Sequence, residues 1–221
     1  MSGVTQATFM NQRSFGPPTP GAIGSSYEGG FYAGEISTTA NSVATHYLVV
    51  APLSSGQSEL KWRNPGGTAT PGADSFINGS QNTADMVADG NASVYPCAHF
   101  CNDLVIGGFS DWYMPAKNEL EVCYYNLKPT TTNNNTSSGT NPNAVPARAS
   151  NYTAGTPAQT SAAAFQTGGA EPFNAVTYWC STEKTASTAH LQSFSTGYQT
   201  DAYGYAKDDA RKIRAVRRVA L

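Results

Sequence analysis

The stretch GGFSDWYMPAKNEL, residues 107–120, places a glycine pair, three aromatic rings, one Ser-Asp step and one proline directly before an acidic amphipathic run. Gly107 and Gly108 permit a tight connection that residues with a Cβ would resist. Pro115 suits the first turn of a helix, because a missing N–H costs nothing there. Glu119 and Glu121 favour the helix's N-terminal half through the macrodipole. Ala116, Leu120, Cys123 and Leu127 recur at helical spacing, which predicts a core-facing stripe ending before Pro129. Phe109, Trp112 and Tyr113 are expected between helix and sheet, each burying roughly 150–250 Å². Asp111 can close an Asx-type turn or pair with an arginine. No nucleophile or base stands beside it, so the stretch reads as a structural corner.

Upstream, PCAHFCNDLVIGG (96–108) predicts a helix opened by Pro96, with Cys97, Cys101 and Leu104 on one stripe and the Gly pair as its stop. NTADMVAD (82–89) predicts a shorter helix capped by Asn82 or Thr83. GGFYAGEI (29–36), THYLVVAP (45–52) and SELKWRN (58–64) read as strands of an antiparallel meander. Downstream, TYWCSTE (177–183), AHLQSFSTGYQT (189–200) and KIRAVRRVAL (212–221) have strand character and are expected to close an antiparallel sheet. Between them, about 130–170, Thr, Asn, Ser, Gly and Ala dominate. Such composition buries too little to order itself independently, so a surface excursion packed on a neighbouring subunit is expected. Residues 1–28, with SFGPPTPGAIGSS, read as an extended attachment or oligomerisation arm. The compact α+β domain then covers 29–221.

Charged residues make up 13% of the 221, about half the ~25% usual for globular proteins, and the net charge is −2. The polar surface must therefore come from neutral donors and acceptors, which suit sugar or protein contacts better than phosphate. The basic close of the chain, with Arg211, Lys212, Arg214, Arg217 and Arg218, could serve nucleic acid. Strand alternation instead splits these side chains, and pairing with Asp103, Asp111, Glu119 or Glu183 is expected. Asp111 with one of Arg214, Arg217 or Arg218 is the favoured ion pair. No apolar run approaches the ~18 residues of a membrane helix, and the first residues hold no hydrophobic signal core. Folding in a cytoplasm without membrane insertion is expected.

The chain has four cysteines, Cys97, Cys101, Cys123 and Cys180. Cys97, His99 and Cys101 have the spacing of metal ligands. Positions four apart also share one helix face, where free cysteine behaves as a small core hydrophobe.

Taken in order, GGFSDWYMPAKNEL, YWCSTE, FSTG and KIRAVRRV resemble the Lcl C-terminal/DUF1566 family over about 29–221. That resemblance implies a C-type-lectin-like fold of the formylglycine-generating-enzyme type, with two helices packed on antiparallel sheets. FMNQRSF (9–15), GGFYAG (29–34), YLVVAP (47–52) and YTAGTPAQT (152–160) are similar to bacteriophage tail proteins, some of them targets of diversity-generating retroelements. The resemblance implies a virion tail-fibre or tail-tip component that binds a host surface receptor, protein or glycan. It also implies contacts with other tail proteins and a homo-oligomer, with a trimer favoured. A structural tail adaptor or decoration protein without host contact is the alternative. Two departures matter: EPFN at Glu171–Asn174 lacks the spacing of a calcium-lectin motif, and Cys180 lacks the companion that formylglycine chemistry needs. No cofactor, metal or catalytic residue is therefore expected, nor an enzyme.

In such a fold the strands after YWCSTE present loops and outer faces to ligand. The candidate contacts are Lys184, Thr185, Ser187, Thr188, His190, Gln192, Tyr198, Gln199, Asp201, Tyr203 and Tyr205. Tyrosine supplies contact area with few rotors, and Ser, Thr and Gln add adaptable hydrogen bonds.

Overall fold

A computed structural model describes residues 16–199 and 204–221; the first part of the expected arm, with Asp201 and Tyr203, lies outside them. The chain is α+β. One sheet has the strand order β1 (Ser26–Tyr27), β2 (Gly30–Ile36), β3 (His46–Val50), β9 (Val216–Ala220). The other has the order β4 (Gln57–Lys61), β8 (Ala210–Arg214), β5 (Thr177–Thr185), β6 (Thr188–Ser193), β7 (Tyr205–Ala206). Helices α1 (Leu53–Gly56), α2 (Gly79–Asp89), α3 (Pro96–Asn102) and α4 (Lys117–Leu127) pack around them.

Two expectations about the sheets need correction. The upstream strands do not form one meander, because β4 leaves β3's sheet and pairs with β8. The closing segment is two strands in two sheets, broken at Ala215, and β8 lies parallel to β5. Both crossings occur at one point. Ala51 N–H donates to the Ala215 carbonyl and Ala215 N–H to the Gly56 carbonyl, each at 2.9 Å. A Cβ on Gly56 would lie 2.1 Å from that of Ala51, so the crossing chains require glycine there.

Side-chain alternation divides the interior into two clusters. β3 feeds both, with Val49 in one and Leu48 and Val50 in the other, which is why it reads as an unbroken apolar run. The first cluster includes Trp62, Tyr95, Cys97, Cys101, Trp112, Trp179 and Leu191. The second lies under α4 and includes Leu120, Cys123, Tyr124, Leu127, Phe173, Tyr178 and Phe194. The expected α4 stripe is fully buried there. α3 starts at Pro96 as expected but ends at Asn102, before Gly107 and Gly108. α2 begins earlier than expected: Asn78, rather than Asn82 or Thr83, caps it by accepting from Gln81 N–H.

The 107–120 corner is fastened by charge. Asp111 is not spent on an Asx turn. Its carboxylate receives Arg217 in a two-pronged contact of 2.6 and 2.9 Å, and that guanidinium lies 3.8 Å over the Phe109 ring. Arg218 points to the opposite face and donates to Glu119 at 2.6 Å. Glu119 is fully buried and also accepts from Tyr113 Oη, Ala116 N–H and Gly79 N–H. The Ala116 bond is half of a capping box. Ala116 cannot supply the other half, and Thr182 Oγ1 receives the Lys117 N–H instead. Burial raises the Glu119 carboxyl's pKa, opposed by Arg218 and these hydrogen bonds. Arg214, fully buried, pairs with Glu171 of the EPFN segment, an acid outside the set expected for it. Glu183 takes Lys207 rather than an arginine.

The 130–170 excursion also differs from expectation, since it packs onto its own domain. Polar side chains do what apolar ones could not. Asn134 accepts from Lys128 Nζ and Tyr124 Oη and donates to the Thr153, Ala154 and Pro157 carbonyls. Asn141, fully buried, joins the Asn118 carbonyl to Glu121. The buried Asn134 and Asn141 amides are satisfied, which removes the penalty that composition alone would predict.

The two ion pairs should differ in weight. Glu119→Ala leaves Arg218 and two backbone N–H groups without their acceptor in the interior and should cost about 3–5 kcal/mol. Asp111 is 54% exposed, so Asp111→Ala should cost about 1–2 kcal/mol, between the values for buried and surface pairs. Urea denaturation of both variants checks this; equal losses would contradict the assigned roles.

Candidate functional site

The candidate residues cluster on the β5–β6 hairpin and on the chain just beyond it. Thr185 and Ser187 at its tip are exposed, and Lys184 and Thr188 are half-buried. The tip is held by Thr185 Oγ1, which accepts from Ser187 N–H and Thr188 N–H and lies 2.7 Å from Thr188 Oγ1. Tyr205 is half-buried on β7 beneath the Arg211 guanidinium, 4.6 Å from the ring. Tyr198 is half-buried against the first core cluster. Asp201 and Tyr203 are outside the described residues.

His190, Gln192 and Gln199, expected on an outer face, lie inside, at 7%, 1% and 6% exposure. For Gln199 the reason is the polar excursion, which folds over this end of the hairpin. Gln199 N–H donates to Ser138 Oγ at 3.0 Å, and Gly139 N–H approaches Gln199 Oε1 at 3.4 Å. Phe76 covers His190 with ring centres 5.3 Å apart. The strand pattern of this region is visible in the sequence, but the return of 135–139 to cap it is not.

Burial here is incomplete in its chemistry. His190 Nδ1, Gln192 Oε1 and Gln199 Nε2 are buried without a hydrogen-bond partner among the described residues. His190 and Gln192 share one face of β6 by the two-residue period, and Gln192 pairs with Gln199 across a bridge. Each such atom costs about 1–3 kcal/mol. Burial, and then the Lys117 and Lys184 charges, push the His190 pKa down to about 4, so the imidazole is neutral near pH 7.

Two neighbours of the site lie outside the expected set. Phe76 is 47% exposed, and Lys117 Nζ lies 5.4 Å from its ring centre. A signal for Lys117 is present in the sequence, since a cation in the first turn of a helix opposes the macrodipole. Burial lowers its pKa further. An exposed phenylalanine among polar loop residues carries no comparable signal.

Among the described residues, no group of three His, Cys, Asp or Glu side chains is arranged to hold a metal. Cys97 and Cys101 are buried thiols whose pKa burial raises, and His99 Nε2 bonds the Gly90 carbonyl. The buried carboxylates Glu119 and Glu121 are both engaged by arginines. The site thus offers hydroxyls, amides, a neutral imidazole, one open ring and two ammonium groups, a set suited to non-covalent contact.

No family model and no curated protein matches the sequence. A solved structure that is similar is a fimbrial protein from Bacteroides ovatus ATCC 8483, at 13% identity and a TM-score of 0.43, over 81% of this chain and 36% of that one. The chain thus spans about a third of that protein's length. At that level the likeness carries no function, and the DUF1566 resemblance rests on the quoted motifs.

The neutral His190 has a pH signature. Its folded pKa of about 4 lies below the unfolded value near 6.5. Its stabilising contribution is therefore complete above about pH 6.5 and lost as the pH falls towards 4. Wild-type protein should lose about 2–3 kcal/mol more than His190→Gln across that window. Denaturation curves at several pH values check it, and parallel slopes would show that the imidazole is not held neutral.

Proposed function

We propose that this protein is a non-enzymatic attachment component of a bacteriophage tail, a C-type-lectin-like domain that binds a host surface receptor through the β5–β6 tip and its adjoining face. One observation carries the reading. Exposed Thr185 and Ser187, half-buried Lys184 and Thr188 and the open Phe76 ring gather at one edge of a frame whose buried carboxylates Glu119 and Glu121 are paired with arginines. The motif resemblance supports the tail-fibre or tail-tip assignment and the lectin-type topology. The low charge favours neutral hydrogen bonding with a protein or glycan receptor over nucleic acid.

Individual contacts of this kind are weak. Several copies on one particle multiply them, because a first contact raises the effective concentration for the next. A homo-oligomer, with a trimer favoured, meets that need, and the N-terminal arm would join it to other tail proteins. Function would then reside in the assembled virion tail after synthesis in the host cytoplasm.

Purified full-length protein should bind whole host cells and reduce phage adsorption. Phe76→Ala and Ser187→Trp should weaken that competition by about tenfold or more, a loss of roughly 1.4 kcal/mol, without changing the melting temperature. Protein that neither binds cells nor competes would favour the structural adaptor reading. Release of new reducing ends from host envelope polysaccharide would overturn the non-enzymatic one.

A further inference from the structure

A concavity lies away from the β5–β6 tip. The side of α4 and the 148–156 segment enclose a groove of about 280 Å³, lined by Tyr125, Arg148, Ser150, Asn151, Tyr152 and Thr156 among others. That is just under the ~300 Å³ at which small-molecule pockets begin, room for one ring-sized group whose continuation can leave over exposed Ser150 and Asn151.

Its wall is layered. The Arg148 guanidinium lies 4.1 Å over the Tyr125 ring. Tyr152 is tilted 38° to Tyr125 with ring centres 6.4 Å apart. The wall is also fixed. Arg148 Nε and Nη2 both donate to Glu121, and Tyr152 Oη donates to the same carboxylate at 2.6 Å. Glu121 is fully buried. Backbone bridges Asn141–Arg148 and Thr153–Thr156 hold the loop that carries the rim.

The electrostatics select the ligand. Arg148 is the cationic residue of the lining, and Glu121 compensates it, so the groove has no net charge to attract an anion. Arg148 Nη1, Tyr125 Oη and the Ser150, Asn151 and Thr156 side chains make no side-chain hydrogen bond to the described residues. They are left as donors and acceptors around the wall. A tyrosine–arginine stack ringed by neutral donors and acceptors gives a sugar ring a planar group to lie against and partners for its hydroxyl periphery.

We propose that this groove binds a neutral saccharide, one residue seated against the Tyr125–Arg148 wall and hydrogen-bonded at its rim. The inference does not rest on the attachment reading, because the groove is built from α4 and the polar excursion rather than from β5 and β6.

The full-length protein would be mixed with methyl glycosides of glucose, galactose, mannose and N-acetylglucosamine, and saturation transfer from protein to sugar measured by NMR. Transfer to at least one glycoside is expected. Ser150→Trp, which fills the groove from an exposed position, should abolish transfer with an unchanged melting temperature. Tyr125→Leu should reduce it severalfold. Thr185→Trp, at the β5–β6 tip, should leave it intact. Absence of transfer to every glycoside would overturn the proposal. So would loss in Thr185→Trp with retention in Ser150→Trp, which would place the sugar at the tip. Displacement of the sugar by inorganic phosphate would overturn the neutral class in favour of an anion held by Arg148.

Discussion

Three arginines on the last two strands hold this protein together, because each is tolerable only where its partner is. A guanidinium removed from water loses hydration worth several kcal/mol, and only a well-placed carboxylate and further acceptors recover it. Arg214 therefore fixes Glu171, Arg217 fixes Asp111, and Arg218 fixes Glu119. The partners lie far apart in sequence, so the pairs set the register of the whole chain. Successive residues of a strand point to opposite faces. Arg217 and Arg218 thus pin β9 to the 107–120 corner from one side and to the start of α4 from the other. A one-residue slip of β9 would bury both charges against the wrong neighbours.

The same economy explains the polar excursion. With few charges and few large apolar groups, 130–170 acquires order from amides. Asn134 and Asn141 each join carbonyls, N–H groups or charged side chains from several turns of chain. Such a network is stable only if every member is satisfied. Glu121 is its hub, binding Asn141, Arg148 and Tyr152. The fold therefore has two charged centres, Glu119 and Glu121, two residues apart on α4. One organises the sheets and the other organises the excursion.

Much of this is legible in the sequence where local physics decides. Pro96 marks a helix start, whereas Pro115, expected in a first turn, lies just ahead of the Ala116 cap of α4. The 116–127 stripe marks a buried face, and the alternation of the closing arginines implies split pairing, with Asp111 expected to take one of Arg214, Arg217 or Arg218 and taking Arg217. The illegible part depends on contacts between distant segments. Nothing local in 210–220 says that Ala215 passes between sheets, since that depends on Gly56 approaching Ala51. Composition counts apolar area and cannot foresee that asparagines will find each other, so 130–170 reads as unsupported. The site shows the same division. The hairpin tip is evident from its residue types, whereas the depth of Gln199 is set by a loop sixty residues earlier and that of His190 by Phe76, more than a hundred residues earlier. Glu171 is easily passed over because its neighbours suggest a lectin motif.

The edge around His190 gathers several local costs in one place. Lys117 stands at the N-terminal end of α4, where a cation is least favoured, and burial lowers its pKa. His190 is kept neutral beside it, and three polar atoms lack partners among the described residues. Phe76 keeps nearly half of its surface in water. Each is a modest departure of a kind that cores ordinarily eliminate, and sequences that fold well tend to be locally consistent except where function intervenes. The paired charges elsewhere allow the departures, because a frame held by Arg214, Arg217 and Arg218 can carry a few kcal/mol of unmet polarity without losing its shape. On the proposed attachment reading, that stiffness would hold the exposed Phe76 ring and the hairpin tip in place for a partner.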